Sequence, residues 1–140
     1  FEREHREGTS IEEHNYLLIE KHNSVVSKRD TVYFLGDVCN SIKDMPYILP
    51  AMNGHKHLIL GNHDRFDTQV YLKYFKKVHG VLPYKGVVLS HVPLHSTSLT
   101  RWEYNLHGHI HSAQSPTKKH INCCVEPFKG FPKEIKTLIP

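Results

Sequence analysis

Residues 58–64, Leu-Ile-Leu-Gly-Asn-His-Asp, form a short apolar run that stops at a glycine and is followed by three polar side chains. This pattern predicts a buried strand that ends in a tight turn, from which Asn62, His63 and Asp64 project at the edge of a sheet. In α/β folds the loops at strand ends carry the chemistry, because the rigid sheet holds them in place. We therefore expect a functional site at this turn.

The composition of the 140-residue chain limits the classes of protein to consider. The length predicts a single domain over residues 1–140. No apolar run approaches the roughly 20 residues of a membrane-spanning helix, the first seven residues are too charged for a signal peptide, and the three cysteines form no disulfide framework. We therefore expect a cytoplasmic protein with no membrane partner. The net charge of +4 is scattered, so it favours an anionic substrate slightly and indicates no nucleic-acid face.

Alternating apolar and polar segments predict a layered α/β (α+β) domain. Helices are expected to open within residues 9–13 and 41–44 and at Asp67. The predicted strands are 31–35, 55–60, 78–82, 86–89, 104–106 and 121–125. The segment 83–85 is expected to link two of these strands. Strands and helices alternate in the first half and strands dominate the second, which indicates a buried sheet with an antiparallel portion late in the chain.

The first predicted helix has apolar residues at seven-residue spacing, including Leu18 and Val25, which are expected to face the core. The chain contains 13 histidines. Several of them, including His22 and His79, are expected at the surface or half-buried with no functional role. Trp102 lies in a polar loop and Tyr104 begins the strand predicted after it; both could either stack on a ring of the substrate or close over the site.

Side chains that bind metals follow the predicted strands at four strand ends. The imidazoles of a His-x-His segment in extended backbone project to the same side, so such a pair can serve one metal or two. Oxygen and imidazole donors without a cysteine in register suit Zn, Mn, Fe or Ni. Two such ions about 3.5–4 Å apart clamp a phosphoryl group. The candidate ligands are Asp37, Asn62, His91, His109 and His111.

Four motifs in the chain, taken in order, resemble those of the calcineurin-like metallophosphoesterases, especially the small bacterial and phage members. The motifs are Gly36-Asp37, Gly61-Asn62-His63-Asp64, Ser90-His91 and Gly108-His109-Ile110-His111. The resemblance implies a β-sandwich of two mixed sheets flanked by helices. It implies hydrolysis of a phosphomonoester or phosphodiester through a metal-bound hydroxide at a dinuclear site. It also implies a small phosphate ester or a nucleotide as substrate, and the host cytoplasm as location if the protein is phage-encoded.

The resemblance assigns the ligands to two divalent transition-metal ions. Asp37 would bridge both ions, Asn62, His91 and His109 would complete one of them, and His111 would ligate the other. The family's first strand, which carries Asp-x-His, has no counterpart in these 140 residues. On the family's pattern that strand would lie upstream of residue 1, or the site is half-built and its first metal weak.

The resemblance also implies roles beyond metal binding. His63 would lie over the phosphate and protonate the leaving oxygen or stabilise the equatorial charge. Asp64 would orient His63, and Arg65 would contact the phosphate. The incomplete ligand set leaves one alternative function open, a catalytically impaired phosphoesterase scaffold used as a binding or interaction module.

Overall fold

The computed structural model describes residues 11–37, 43–124, 128 and 131–140. The helices are α1 (Ile11–Val25), α2 (Met45–Ile48), α3 (Thr68–Tyr71) and α4 (Ile135–Leu138), with one 3₁₀ turn at Ser96–Ser98. The strands are β1 (Thr31–Phe34), β2 (His55–Ile59), β3 (Lys77–His79), β4 (Leu82–Tyr84), β5 (Val87–Ser90), β6 (Tyr104–His107) and β7 (His120–Asn122). The predicted helix starts at residues 9–10 and 41–42 lie outside the described part of the chain.

The first sheet is parallel, in the order β1-β2-β3, and it contains the strand predicted from residues 58–60. Leu58 and Ile59 have no solvent exposure and point to opposite faces of β2. Leu58 packs against the helical layer with Met45 and Tyr71. Ile59 packs against Leu106 of the second sheet. Because both faces are covered at this end of the strand, Leu58 and Ile59 are apolar without alternation, as in other buried parallel strands.

The second sheet has four strands in the order β4-β5-β6-β7, and only the β4–β5 pair is antiparallel. Two sheets flanked by helices confirm the predicted fold class. The prediction of one strand over residues 78–82 is wrong. Residues 78 and 79 belong to β3 in the first sheet, whereas residue 82 begins β4 in the second sheet. Residues 83 and 84 belong to β4, and the link is the two-residue turn Lys85-Gly86, with φ of 44° and 86°. Positive φ at both positions is what a tight hairpin turn requires.

At the end of α1 the residues that face the core differ from the predicted ones, although Leu18 is half-buried. Val25 is 54% exposed, whereas His22 and Val26 are buried. Nε2 of His22 donates a hydrogen bond to the carbonyl oxygen of Asn53 at 2.8 Å. Asn53 in turn donates from Nδ2 to the Val26 carbonyl. His22 was expected near the surface. Its hydrogen bond offsets the free-energy cost of burying the polar ring, and burial lowers the pKa of His22.

In the described part of the chain, no helix has both the length and the apolar character needed to cross a bilayer.

Candidate metal centre

The carboxyl ends of four strands, two from each sheet, meet at one edge of the sandwich. Asp37 follows β1 and Asn62 follows β2 in the first sheet, while His91 follows β5 and His109 follows β6 in the second. Parallel neighbours end at the same edge, so each sheet delivers two side chains to that edge. The stacking of the two sheets then brings both pairs together. We call these four residues the metal cluster.

One atom from each member of the metal cluster lies at a common point. Nε2 of His91 is 2.9 Å from Oδ1 of Asn62, 3.1 Å from Oδ2 of Asp37 and 3.1 Å from Nδ1 of His109. Nδ1 of His109 is also 3.1 Å from Oδ1 of Asn62. His91 is 5% exposed, whereas Asn62 and His109 are exposed. The cluster therefore has a buried base and a side that is open to solvent.

The tautomer of His91 explains why a cation fits this point. Nδ1 of His91 lies 2.6 Å from the carbonyl oxygen of Leu35, which can only accept, so Nδ1 carries the proton. In the neutral ring Nε2 then has no proton and carries a lone pair. This lone pair faces two oxygen acceptors and a second imidazole. Lone pairs at this spacing repel one another unless a positive charge lies among them. Ligands about 2.1 Å from a metal and at right angles to each other are about 3 Å apart, so the four donors fit a divalent transition metal.

The Asp64 carboxylate ties together the two loops of the first sheet that carry ligands. Its Oδ2 accepts hydrogen bonds from the backbone N–H groups of Asp37 and Gly61, both at 2.8 Å. Oδ1 of Asp37 accepts a hydrogen bond from the backbone N–H of His63 at 2.7 Å. A Cβ atom on Gly61 would lie 2.7 Å from the backbone nitrogen of Asp37, so only glycine allows the loops to approach this closely.

Backbone strain is concentrated in the same loops. Asp37, His109 and His111 have φ of 54°, 72° and 54°, in the left-handed region that side chains with a Cβ rarely adopt. Such conformations cost about 1–3 kcal/mol each and persist only where the surroundings hold them. The Asp64 hydrogen bond holds the first of these positions. The loops therefore keep a strained backbone at these three positions, and this backbone determines where the side chains lie.

Replacing Asp64 with alanine is expected to loosen the metal cluster without removing a ligand. Two half-buried N–H groups lose their acceptor, which costs about 1–3 kcal/mol of folding stability. The loss of a group that supports a ligand typically weakens metal affinity about 10–100-fold. Metal titration and thermal unfolding measure the two effects. Asp64→Asn, which keeps an oxygen acceptor, should lose less of both.

Asp67→Ala is the matched control for this prediction. Asp67 is an exposed carboxylate at the start of α3, and its side chain makes no capping hydrogen bond there. Its removal should leave metal affinity unchanged. If Asp64→Ala bound metal as tightly as Asp67→Ala, the Asp64 carboxylate would not be what holds the two loops in position.

The other predicted site residues lie around the metal cluster. His63 is half-buried and Arg65 is exposed, both on the loop after β2. Among the described residues, three His and Asp side chains bring their ligand atoms to one point: Asp37, His91 and His109. The side chain of His111 does not belong to this group. The backbone carbonyl of His111 accepts a hydrogen bond from Asn122 at 2.7 Å. The Asp64 hydrogen bonds described above go to backbone groups, and its predicted action on the His63 ring stays a prediction.

Two contributors to the site were not predicted from the sequence. The Leu35 carbonyl sets the tautomer of His91, and a backbone contact across 56 residues leaves no signal in the sequence. His107 is fully buried directly before the Gly108 turn. Its Nδ1 donates to the Gly108 carbonyl at 2.9 Å and its Nε2 pairs with the Ser115 hydroxyl at 3.0 Å. Burial lowers the pKa of His107, which favours the neutral ring that fixes this turn beside His109.

Three comparisons relate the chain to known proteins. The family model of the calcineurin-like phosphoesterases matches residues 11–128. The uncharacterized protein MJ1445 of Methanocaldococcus jannaschii is 32% identical over 146 residues, covering 96% of this chain and 78% of that protein. The gene 66 protein of Mycobacterium phage L5 is 45% identical over 58 residues, but these are 39% of this chain and 28% of the phage protein. The crystal structure of the protein of unknown function AQ665 from Aquifex aeolicus superposes with a TM-score of 0.72 at 24% identity, covering 89% of this chain and 84% of that one, and it shares the fold.

Proposed function

Because this chain belongs to the calcineurin-like phosphoesterase family, we propose that it hydrolyses a phosphomonoester or phosphodiester at the metal cluster. The observation that carries the proposal is the convergence of one oxygen or nitrogen atom from each of Asp37, Asn62, His91 and His109 on one point. A divalent ion such as Mn, Fe, Ni or Zn bound there supplies charge to the phosphoryl oxygens and activates water near neutral pH.

We propose that the centre takes two ions of unequal affinity. The metal cluster offers four ligands to one ion. The second ion would share Asp37 and take His111, which leaves it two protein ligands in the described part of the chain. Fewer ligands hold a cation less tightly. The second ion should therefore exchange more readily, and full activity should require a higher metal concentration than occupancy of the first site.

The loop after β2 is proposed to act on the substrate directly. The Asp37 carboxylate accepts a hydrogen bond from the backbone N–H of His63, a half-buried residue that directly follows Asn62 of the metal cluster. We propose that the ring of His63 donates a proton to the leaving oxygen or a hydrogen bond to an equatorial one. Arg65, two residues on and exposed, would contact the phosphate. The solvent-exposed side of the cluster favours small phosphate esters, including nucleotides, or esters that protrude from a larger molecule.

Metal content measured together with turnover tests the proposed function. The protein is stripped with a chelator, loaded with Mn, Ni or Zn, and assayed on p-nitrophenyl phosphate and on bis-p-nitrophenyl phosphate. We expect one ion per chain to bind tightly, a second to bind more weakly, and hydrolysis of at least one ester to rise with the second. A tightly held ion with no turnover of either ester would favour the impaired scaffold instead. The absence of bound metal at millimolar concentrations would contradict both.

A further inference from the structure

A shallow cleft, largely open to solvent, lies at the opposite end of β6 from the metal cluster. It has a volume of about 530 Å³. Tyr104 begins β6 and lines this cleft, whereas His107 ends β6 just before the loop of the metal cluster. Four strand residues put these two ends about 10 Å apart. The cleft is therefore separate from the site proposed for hydrolysis, and its volume is within the range of small-molecule binding sites.

The wall of the cleft is held in place by backbone contacts. Nζ of Lys119 donates to the carbonyls of Leu99 and Trp102 at 3.1 and 3.0 Å. The backbone N–H of Glu103 donates to the Gly86 carbonyl at 2.8 Å. Leu99 has no solvent exposure and anchors the turn in the core. The ring of Trp102 therefore extends from a segment fixed on both sides, which reduces the entropy lost when a ligand binds.

The side chains that line the cleft combine aromatic rings with excess positive charge. Trp102 and Tyr104 are half-buried residues of the cleft wall, and Tyr104 also packs against the core of the second sheet. Three cations and one carboxylate surround them: Arg101, Lys118, Lys119 and Glu103. Among the described residues, Arg101 and Lys118 make no hydrogen bond or ion pair through their side chains, and Lys119 uses two of its three N–H groups. The cleft thus offers ring faces and unpaired donors for an anion side by side.

We propose that this cleft binds a free nucleotide, with the base stacked on Trp102 and the phosphate held by Arg101 and Lys118. Aromatic side chains stack on every nucleobase, and the planar guanidinium matches the oxygens of a phosphate. The lining residues come from two short segments, 100–104 and 118–119, which suits one nucleotide rather than a strand. The proposal is independent of the reaction at the metal cluster.

Fluorescence of Trp102 tests the proposal, because Trp102 is the only tryptophan in the chain. Metal-free protein is titrated with adenosine 5′-monophosphate, and we expect saturable quenching. Adenosine and inorganic phosphate should each bind at least about tenfold more weakly, since each makes only half of the contacts. Phosphate that binds as tightly as the nucleotide would overturn the role of stacking. A single-stranded oligonucleotide that binds at least about tenfold more tightly would overturn the free nucleotide as ligand.

Three variants locate the nucleotide. Arg101→Glu should raise the Kd for the nucleotide at least about tenfold, because attraction to the phosphate becomes repulsion. Lys73→Glu makes the same type of charge change at an exposed position near α3 and should leave the Kd unchanged. His109→Ala alters the metal cluster and should also leave it unchanged. Loss of quenching in His109→Ala, or an unaltered Kd in Arg101→Glu, would overturn the proposal.

Discussion

Replacing His91 with alanine is expected to remove the tightly bound metal and with it phosphoesterase turnover. His91 is the buried member of the metal cluster, and its Nε2 lies within 3.1 Å of a donor atom from each of the other three. Loss of a group that merely supports a ligand already weakens metal affinity about 10–100-fold. Loss of a ligand held at the centre of the cluster should exceed that range.

Metal titration followed by mass spectrometry or atomic absorption measures the effect of His91→Ala, and turnover is recorded on the same samples. His55→Ala is the control, because His55 is an exposed histidine at the start of β2, away from the strand ends that carry the ligands. Circular dichroism shows whether the variant still folds. Folded His91→Ala protein that retained stoichiometric metal would contradict the assignment of His91 as a ligand.

Replacing His63 with alanine is expected to leave metal content unchanged and to lower kcat about 10²–10⁴-fold, the range of general acid–base catalysis. The reason is that His63 meets the cluster through its backbone N–H, which alanine retains, and not through a donor atom at the common point. The proposed function assigns its ring to the substrate. Comparing the two variants separates an effect on metal content, expected for His91→Ala, from an effect on kcat alone, expected for His63→Ala.

The leaving group distinguishes the two roles proposed for His63. If the ring protonates the leaving oxygen, His63→Ala should slow esters of weakly acidic alcohols far more than p-nitrophenyl esters, which need little assistance. Equal slowing of both would indicate stabilisation of equatorial charge. Loss of the metal in His63→Ala would show that the assignment of His63 to the substrate is wrong.

Local sequence patterns predicted the strands and the ends that carry the ligands. Apolar runs that stop at a glycine, as at Leu60-Gly61, specify both a buried strand and a sharp turn. The parallel arrangement of such strands then directs their ends to one edge. For this reason four of the five candidate ligands meet in the structure at one point, although they are spread over more than seventy residues of sequence.

Features decided by tertiary contacts could not be predicted in the same way. The exposure of Val25 and burial of His22 depend on where Asn53 crosses the end of α1. The division of the predicted strand near Gly80 depends on which sheet each half joins. The position of His111 depends on a left-handed turn, not on the extended backbone assumed for His-x-His. In each case the local pattern is compatible with two outcomes, and packing selects one.

The metal cluster draws half of its candidate ligands from each sheet, which has a consequence for folding as well as for chemistry. An ion bound there would cross-link two layers that side-chain packing and the hydrogen bond of His91 to the Leu35 carbonyl already join, and it could bind only when both layers are in place. By mass action, free metal at 100 times its Kd adds about 2.7 kcal/mol to the free energy of unfolding. The melting temperature then becomes a measure of metal affinity, and metal supply would set how much of this protein survives proteolysis in a cell.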